Sequence, residues 1–195
     1  MAAGRKQRIG QSRLDLASEN VELCRLALPP ALSEAPDAIV VVVTNPVDVV
    51  TFEAIRVAGL PPGRVLGSGT VLDTARLRVS LAAELGLSPA SVHASIVGEH
   101  GDSEVALWST ATAGGAAVSA WLTEAGRDQE FLADLLAGVR GAADRIIEGK
   151  GATSTAIGFS AARIIEAIGR DERAALNVST EHNLSGAPSA YPYPP

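Results

Sequence analysis

The residues best suited to chemistry lie in Ile96-Val97-Gly98-Glu99-His100-Gly101-Asp102 and, upstream of it, at Asp73 and Arg76. Gly98 and Gly101 free the backbone for a loop that can hold an imidazole in an open cleft. The free pKa of histidine lies near neutrality, so His100 suits giving and taking one proton per turnover. The bland alternative is a hydrogen-bonded loop histidine, and a lone short motif does not displace it. Asp73 and Arg76 are three residues apart on a predicted helix and share a face, whereas Arg78 points away. One reading is a surface ion pair worth roughly a few tenths of a kcal/mol. The other is a division of labour. Arg76 forks onto a substrate carboxylate, and Asp73 accepts the imidazole N–H of His100, sets its tautomer and stabilises the imidazolium.

These side chains need elements to hold them. Residues 4–13 have loop composition. Apolar residues at helical spacing from Leu14 to Leu28 predict a helix, interrupted at Pro29-Pro30 or continuing to Ala35. Ala38 to Val43 is an unbroken β-branched and small apolar run, the mark of a strand buried on both faces of a parallel sheet. Thr44-Asn45-Pro46 starts a helix over 47–57, and 64–66 is a further strand. This strand–helix–strand rhythm predicts a βαβ unit whose ligand crevice lies beyond the strand carboxyl ends, where Asn45 and Ser68 fall. Helices are predicted over 70–85, 128–148 and 153–168, with strands at 93–97 and 176–179. Residues 185–195, with four prolines and no periodicity, are expected to be a disordered tail.

Bulk properties narrow the class. Hydrophobic residues make up 47% of the 195 and charged residues 19%, which gives a globular chain with a real core. A net charge of -6 argues against a nucleic-acid partner. No apolar run approaches the ~20 residues of a membrane helix, and Met1 to Gly10 lacks the apolar stretch of a signal peptide. The single cysteine, Cys24, rules out an internal disulfide framework and fits a reducing compartment. Its setting on an amphipathic helix predicts a core residue. No metal-ligand spacing is present.

Five blocks occur together and in order: Gly-Gln-Ser-Arg-Leu-Asp-Leu (10–16), Thr-Asn-Pro-Val-Asp (44–48), Gly-Ser-Gly-Thr-Val-Leu-Asp-Thr-Ala-Arg (67–76), Gly-Glu-His-Gly-Asp (98–102) and Gly-Ala-Thr-Ser-Thr-Ala-Ile-Gly (151–158). In these blocks, over about residues 4–180, the chain resembles the NAD-dependent L-lactate/malate dehydrogenase family. The resemblance implies an α/β fold: the C-terminal half of a Rossmann-type parallel sheet (residues 1–69, with the substrate loop), then an α+β catalytic domain (70–180) and a divergent proline-rich tail (181–195). It implies that His100 protonates the carbonyl oxygen of pyruvate while NADH delivers hydride, with Asp73 behind it. Arg13 would polarise that carbonyl, Arg76 and Thr153 would bind substrate, and Asn45 would sit between nicotinamide and substrate. Thr44, Ser68 and Ile157 would approach the cofactor.

Gln7, six residues before Arg13, stands where malate enzymes carry an arginine for a second carboxylate. A neutral Gln leaves that charge unpaired, so pyruvate and L-lactate are the expected substrates. Arg78 and His93 match positions that in the bacterial lactate branch form a fructose 1,6-bisphosphate site between subunits of a homotetramer. A cytoplasmic location follows from the same resemblance. The alternatives are a malate dehydrogenase, or an inactive remnant that only assembles with full-length subunits. The family's Gly-x-Gly-x-x-Gly turn is not in the sequence, and after Thr180 the family pattern stops. The fold is therefore expected to be incomplete at both ends, through a misplaced start, a frameshift or a truncation. The isolated chain is expected to expose apolar surface along the sheet edge at 38–43, to aggregate and to bind NADH weakly.

Overall fold

The computed structural model describes residues 1–5, 13–150, 153–184 and 187–192. Its contacts divide the chain into two units, Met1–Gly69 with Ser160–Pro195, and Thr70–Phe159.

The first unit is built on a four-stranded sheet. Helix α1 (Arg13–Glu34) precedes strand β1 (Val40–Val42), helix α2 (Val47–Ala58) and strand β2 (Val65–Gly67). Strands β1 and β2 run parallel, with Val40 opposite Val65 and Val42 opposite Gly67. This is the expected βαβ unit. Its core joins Cys24 and Leu28 of α1, Val40 and Val42 of β1, Val47, Val50 and Ala54 of α2, and Val65 of β2. Cys24 is fully buried. Helix α1 runs straight through Pro29 and Pro30. The carbonyls these prolines leave without a helical donor belong to Arg25 and Leu26, both exposed, where water can serve them. Helix α2 lies so close to β2 that a Cβ on Gly67 would meet Thr51 Oγ1 at 2.2 Å, which makes glycine obligatory there.

One expectation changes in this unit. At the outer side of β1, Val43 N–H donates to the carbonyl of Met1 at 3.0 Å and the Met1 ammonium bonds the carbonyl of Val41, while Ile39 is exposed as expected of this edge. Of residues 185–195, expected to be a disordered tail, 187–192 form a strand. Strands Ser179–Leu184 and Ala187–Pro192 form an antiparallel pair, and the first joins β2 through Gly67 opposite Ser179. The strand holding Pro188 and Pro192 is the outermost of the sheet, where missing N–H donors cost no ladder bond. Ser179 Oγ also donates to Asp48 Oδ1 of α2 in a buried bond. By contacts, Ser160–Pro195 group with Met1–Gly69.

The second unit opens with α3 (Val71–Leu85), followed by strands β3 (Val92–His93), β4 (Ile96–Val97), β5 (Val105–Ala106), β6 (Thr112–Ala113) and β7 (Ala116–Ala117). Helices α4 (Val118–Ala125), α5 (Gln129–Arg140) and α6 (Ala142–Lys150) come next, and α7 (Thr155–Gly169) begins in this unit and ends in the first. The strand pair Ser179–Leu184 and Ala187–Pro192 then becomes β8 and β9. The core gathers Leu77 and Leu81 of α3, Val92, Ile96, Ala106 and Ala113 of the strands, and Val118, Leu122, Leu132 and Val139 of the helices. The single strand expected over 93–97 is two strands in separate ribbons, β3 paired with β6 and β4 with β5. The split falls at Ala94, whose carbonyl accepts from Arg78 Nε at 2.8 Å and so leaves the ladder. The long helix expected over 128–148 breaks at Gly141 into α5 and α6. Asp128 caps α5, accepting from the N–H groups of Glu130 and Phe131.

Among the described residues, no helix is long and apolar enough to cross a membrane.

Candidate active site

Helix α3 is fastened to β4 by two threonines one turn apart. Thr70 Oγ1 donates to the carbonyl of Ile96 at 2.5 Å, and the Ile96 N–H donates to Thr74 Oγ1 at 3.0 Å. The strand that leads into the histidine loop is therefore held by the helix that carries Asp73 and Arg76. Thr74→Val is expected to strand the buried Ile96 N–H and lower stability by about 1–3 kcal/mol. Urea unfolding checks this; an unchanged midpoint would show that the bond contributes nothing.

After β4 the chain turns at Gly98 (φ 91°) and Gly101 (φ 141°), both in the region that favours glycine. The turn brings His100 back over α3. His100 Nδ1 lies 2.6 Å from Asp73 Oδ2, and Arg76 Nη1 lies 3.3 Å from Asp73 Oδ1. Each carboxylate oxygen thus meets a different cation-forming group. The side chains are 4% exposed for Asp73, 17% for Arg76 and 28% for His100, so the carboxylate is buried while both partners reach solvent. An imidazole that gives its Nδ1–H to a carboxylate keeps Nε2 as the nitrogen for proton transfer.

Glu104 completes the arrangement, and the sequence reading did not single it out. It is 1% exposed, and its N–H donates to the carbonyl of Gly101. Its own carbonyl accepts from Arg140 Nη2 of α5. Burial, and next the charge of Asp73, push its carboxyl up to about 7 against the pull of His100 and Arg140. The sequence carries no signal for it: Val105 and Ala106 are both apolar, and only the structure shows Val105 exposed and Ala106 buried, which turns Glu104 inward with Ala106. Ligand-type atoms of Asp73, His100 and Glu104 lie within 4.8 Å of one another. The 2.6 Å contact between the first two marks a hydrogen-bonded, proton-binding cluster.

The remaining sequence-selected residues stand as follows. In the second unit, Arg78 is half-buried against the carbonyl of Ala94, and burial lowers the proton affinity of its guanidinium. His93 is exposed on β3, one residue away. Thr153 is exposed just before α7, and Ile157 is half-buried in its first turn. In the first unit, Thr44 and Ser68 are buried at the carboxyl ends of β1 and β2. The Ser68 N–H donates to the carbonyl of Val42, and Thr44 Oγ1 donates to the carbonyl of Ala3 at 2.9 Å. Asn45 is exposed; its backbone carbonyl accepts from Asn20 Nδ2 at 2.7 Å. Arg13 is the first residue of α1, and its side chain lies outside the described part, as does all of Gln7.

Residues 1–67 match the family described as lactate/malate dehydrogenase, NAD binding domain, and residues 70–190 match its alpha/beta C-terminal domain. The chain is 51% identical over 180 residues to the L-lactate dehydrogenase of Synechococcus sp. (strain JA-3-3Ab), covering 92% of this chain and 58% of the relative. It is 50% identical over 183 residues to that of Thermus aquaticus, with the same coverage. The solved minor L-lactate dehydrogenase of Enterococcus mundtii, in its ligands-bound form, superposes with a TM-score of 0.92 at 40% identity, over 99% of this chain and 62% of that one. The chain thus spans about three fifths of the length of the relatives it matches.

Proposed function

The chain belongs to the lactate/malate dehydrogenase family, and from that premise we propose that it carries the chemistry of an L-lactate dehydrogenase, the reversible reduction of pyruvate to L-lactate with NADH. The observation that carries this reading is the buried Asp73 carboxylate with His100 on one oxygen and Arg76 on the other. The similarity to enzymes named L-lactate dehydrogenase supports the substrate.

In this reading the Arg76 guanidinium forks onto the carboxylate of pyruvate and orients the molecule. One of its nitrogens is spent on Asp73, and among the described residues no other hydrogen bond engages the rest. The His100 imidazolium, steadied by Asp73, gives its Nε2 proton to the carbonyl oxygen as that oxygen becomes an alkoxide, and takes it back in lactate oxidation. Arg13 polarises the carbonyl as negative charge builds, and Thr153 lines the substrate pocket. The nicotinamide cofactor, when bound, supplies the hydride. In the first unit, the exposed Asn45 beside parallel strand ends suits its nicotinamide end. Thr44 and Ser68 stand side by side at parallel strand ends, where ligands of such sheets bind. The Asn45 carboxamide is exposed and, among the described residues, makes no hydrogen bond. In the second unit, the family resemblance assigns the half-buried Ile157 to the nicotinamide ring.

The test is NADH oxidation with pyruvate and with oxaloacetate as competing acceptors. Pyruvate is the expected substrate, and a preference for oxaloacetate would overturn the assignment within the family. Gln7→Arg is expected to raise the oxaloacetate-to-pyruvate ratio of kcat/KM by roughly 10²-fold, because it pairs the second carboxylate. Fructose 1,6-bisphosphate held by Arg78 and His93 of adjoining subunits, in a homotetramer, is the regulatory part of this proposal. Its support is two cation-forming side chains flanking Ala94, one of them exposed. A cytoplasmic location is part of the same reading, supported by a lone buried cysteine.

A further inference from the structure

Glu104 has no structural reason to be a carboxylic acid. It is among the largest fully buried side chains of the chain, and among the described residues its Oε1 meets no hydrogen-bond donor. Arg140, a guanidinium that acts on it from α5, spends its Nη2 on the backbone carbonyl of Glu104. A buried charge without a partner destabilises a fold, and an apolar side chain of similar volume would serve packing better. What the carboxyl does have is a place within 4.8 Å of the facing atoms of Asp73 and His100.

We propose that Glu104 is a positioning residue of this site, a third proton-binding group set beside Asp73 and His100, whose ionisation extends the pH range over which His100 remains an imidazolium. The coupling stands on the geometry alone; only its consequence for turnover rests on His100 being the proton donor in pyruvate reduction.

The charges facing Glu104 are Asp73 from α3, His100 from the loop between β4 and β5, and Arg140 from α5, with Arg76 bound to the Asp73 oxygen that His100 does not use. One and the same proton count has two forms. In one, the imidazole is neutral and Glu104 is an acid. In the other, the proton has moved from the Glu104 carboxyl to the imidazole, leaving a carboxylate beside an imidazolium. Removing a further proton must therefore break up an imidazolium flanked by two carboxylates, which requires a higher pH than with one. The sign is fixed. Below neutrality Glu104 is protonated and adds nothing, and above it the new negative charge holds the proton on His100. In turnover this carries pyruvate reduction, which needs the imidazolium, to higher pH than Asp73 alone would allow.

The experiment is an NMR titration of the full 195-residue chain. It follows the imidazole ring of His100, assigned with His100→Gln, and the side-chain carboxyl carbon of Glu104. In the wild type the Glu104 carbon is expected to titrate at about 7 and to share an inflection with the His100 ring. In Glu104→Gln the His100 midpoint moves down by about one pH unit, and Glu104→Asp, which keeps a carboxyl, restores part of that shift. The alkaline limb of kcat/KM for pyruvate follows the same order. A Glu104 carbon that titrates in the ordinary carboxylate range with no shared inflection overturns the proposal. So does a His100 midpoint that ignores Glu104→Gln. Should that variant fail to fold, the wild-type titration decides alone. Coupled titrations in a chain that forms no lactate would leave this inference standing and remove the dehydrogenase reading, and uncoupled titrations in an active chain would do the reverse.

Discussion

Replacing His100 with Gln is expected to lower kcat for pyruvate reduction by roughly 10²–10⁴-fold. The alkoxide that forms as hydride arrives needs a proton, not merely a hydrogen bond. A glutamine amide can lend the second but cannot release the first. The carboxylate clamp is untouched in this variant, because Arg76 is held by the other oxygen of Asp73. KM for pyruvate should therefore change far less than kcat, and steady-state kinetics separate the two. Asp73→Asn attacks the same step from behind. Its amide can still accept the Nδ1–H, but the buried negative charge opposite the imidazolium is gone, and so is the anchor of Arg76. A loss in kcat together with a rise in KM is the expected signature. A His100→Gln chain that kept its kcat would exclude His100 as the proton donor.

Arg76→Lys is the second large effect. The guanidinium can meet a carboxylate with two parallel N–H groups, whereas an ammonium meets it as a point charge. Losing one charge-assisted hydrogen bond costs about 1.5–3 kcal/mol, or roughly 10–100-fold in kcat/KM for pyruvate. The keto acid would also be held less squarely under the proton donor, so part of the loss should fall on kcat. An uncharged Gln at the position should be worse than Lys, and more so for pyruvate than for an uncharged ketone of the same size. Equal losses for both acceptors would show that Arg76 acts on the fold rather than on the carboxylate.

Local pattern made much of this architecture legible. The runs of small and β-branched residues at 38–43 and the glycine and proline punctuation marked the parallel strands and the helix between them, because backbone preference and burial act over a few residues. The shared face of Asp73 and Arg76 is likewise a property of helical spacing. The meeting of Asp73 with His100, 27 residues on, is not. Family resemblance suggested it, and two threonines on Ile96 accomplish it in space. Glu104 was hidden for a related reason. Residues 104–109 read as extended chain, but which face Glu104 takes is not legible, because Val105 and Ala106 are both apolar and only the structure shows Val105 exposed and Ala106 buried. The strands after Val178 depend on a distant partner: Ser179 is fixed by Gly67 and Asp48, contacts that no window of neighbouring residues contains.

The most direct measurement uses NADH carrying deuterium at its transferable ring position, incubated with pyruvate and this chain, with the product read by mass spectrometry and chiral separation. The account predicts L-lactate labelled at the carbon bearing the hydroxyl, formed by the wild type and reduced at least a hundredfold, by about the lower bound for a lost general acid, in His100→Gln. Labelled lactate formed equally by both chains, or by neither, would contradict it.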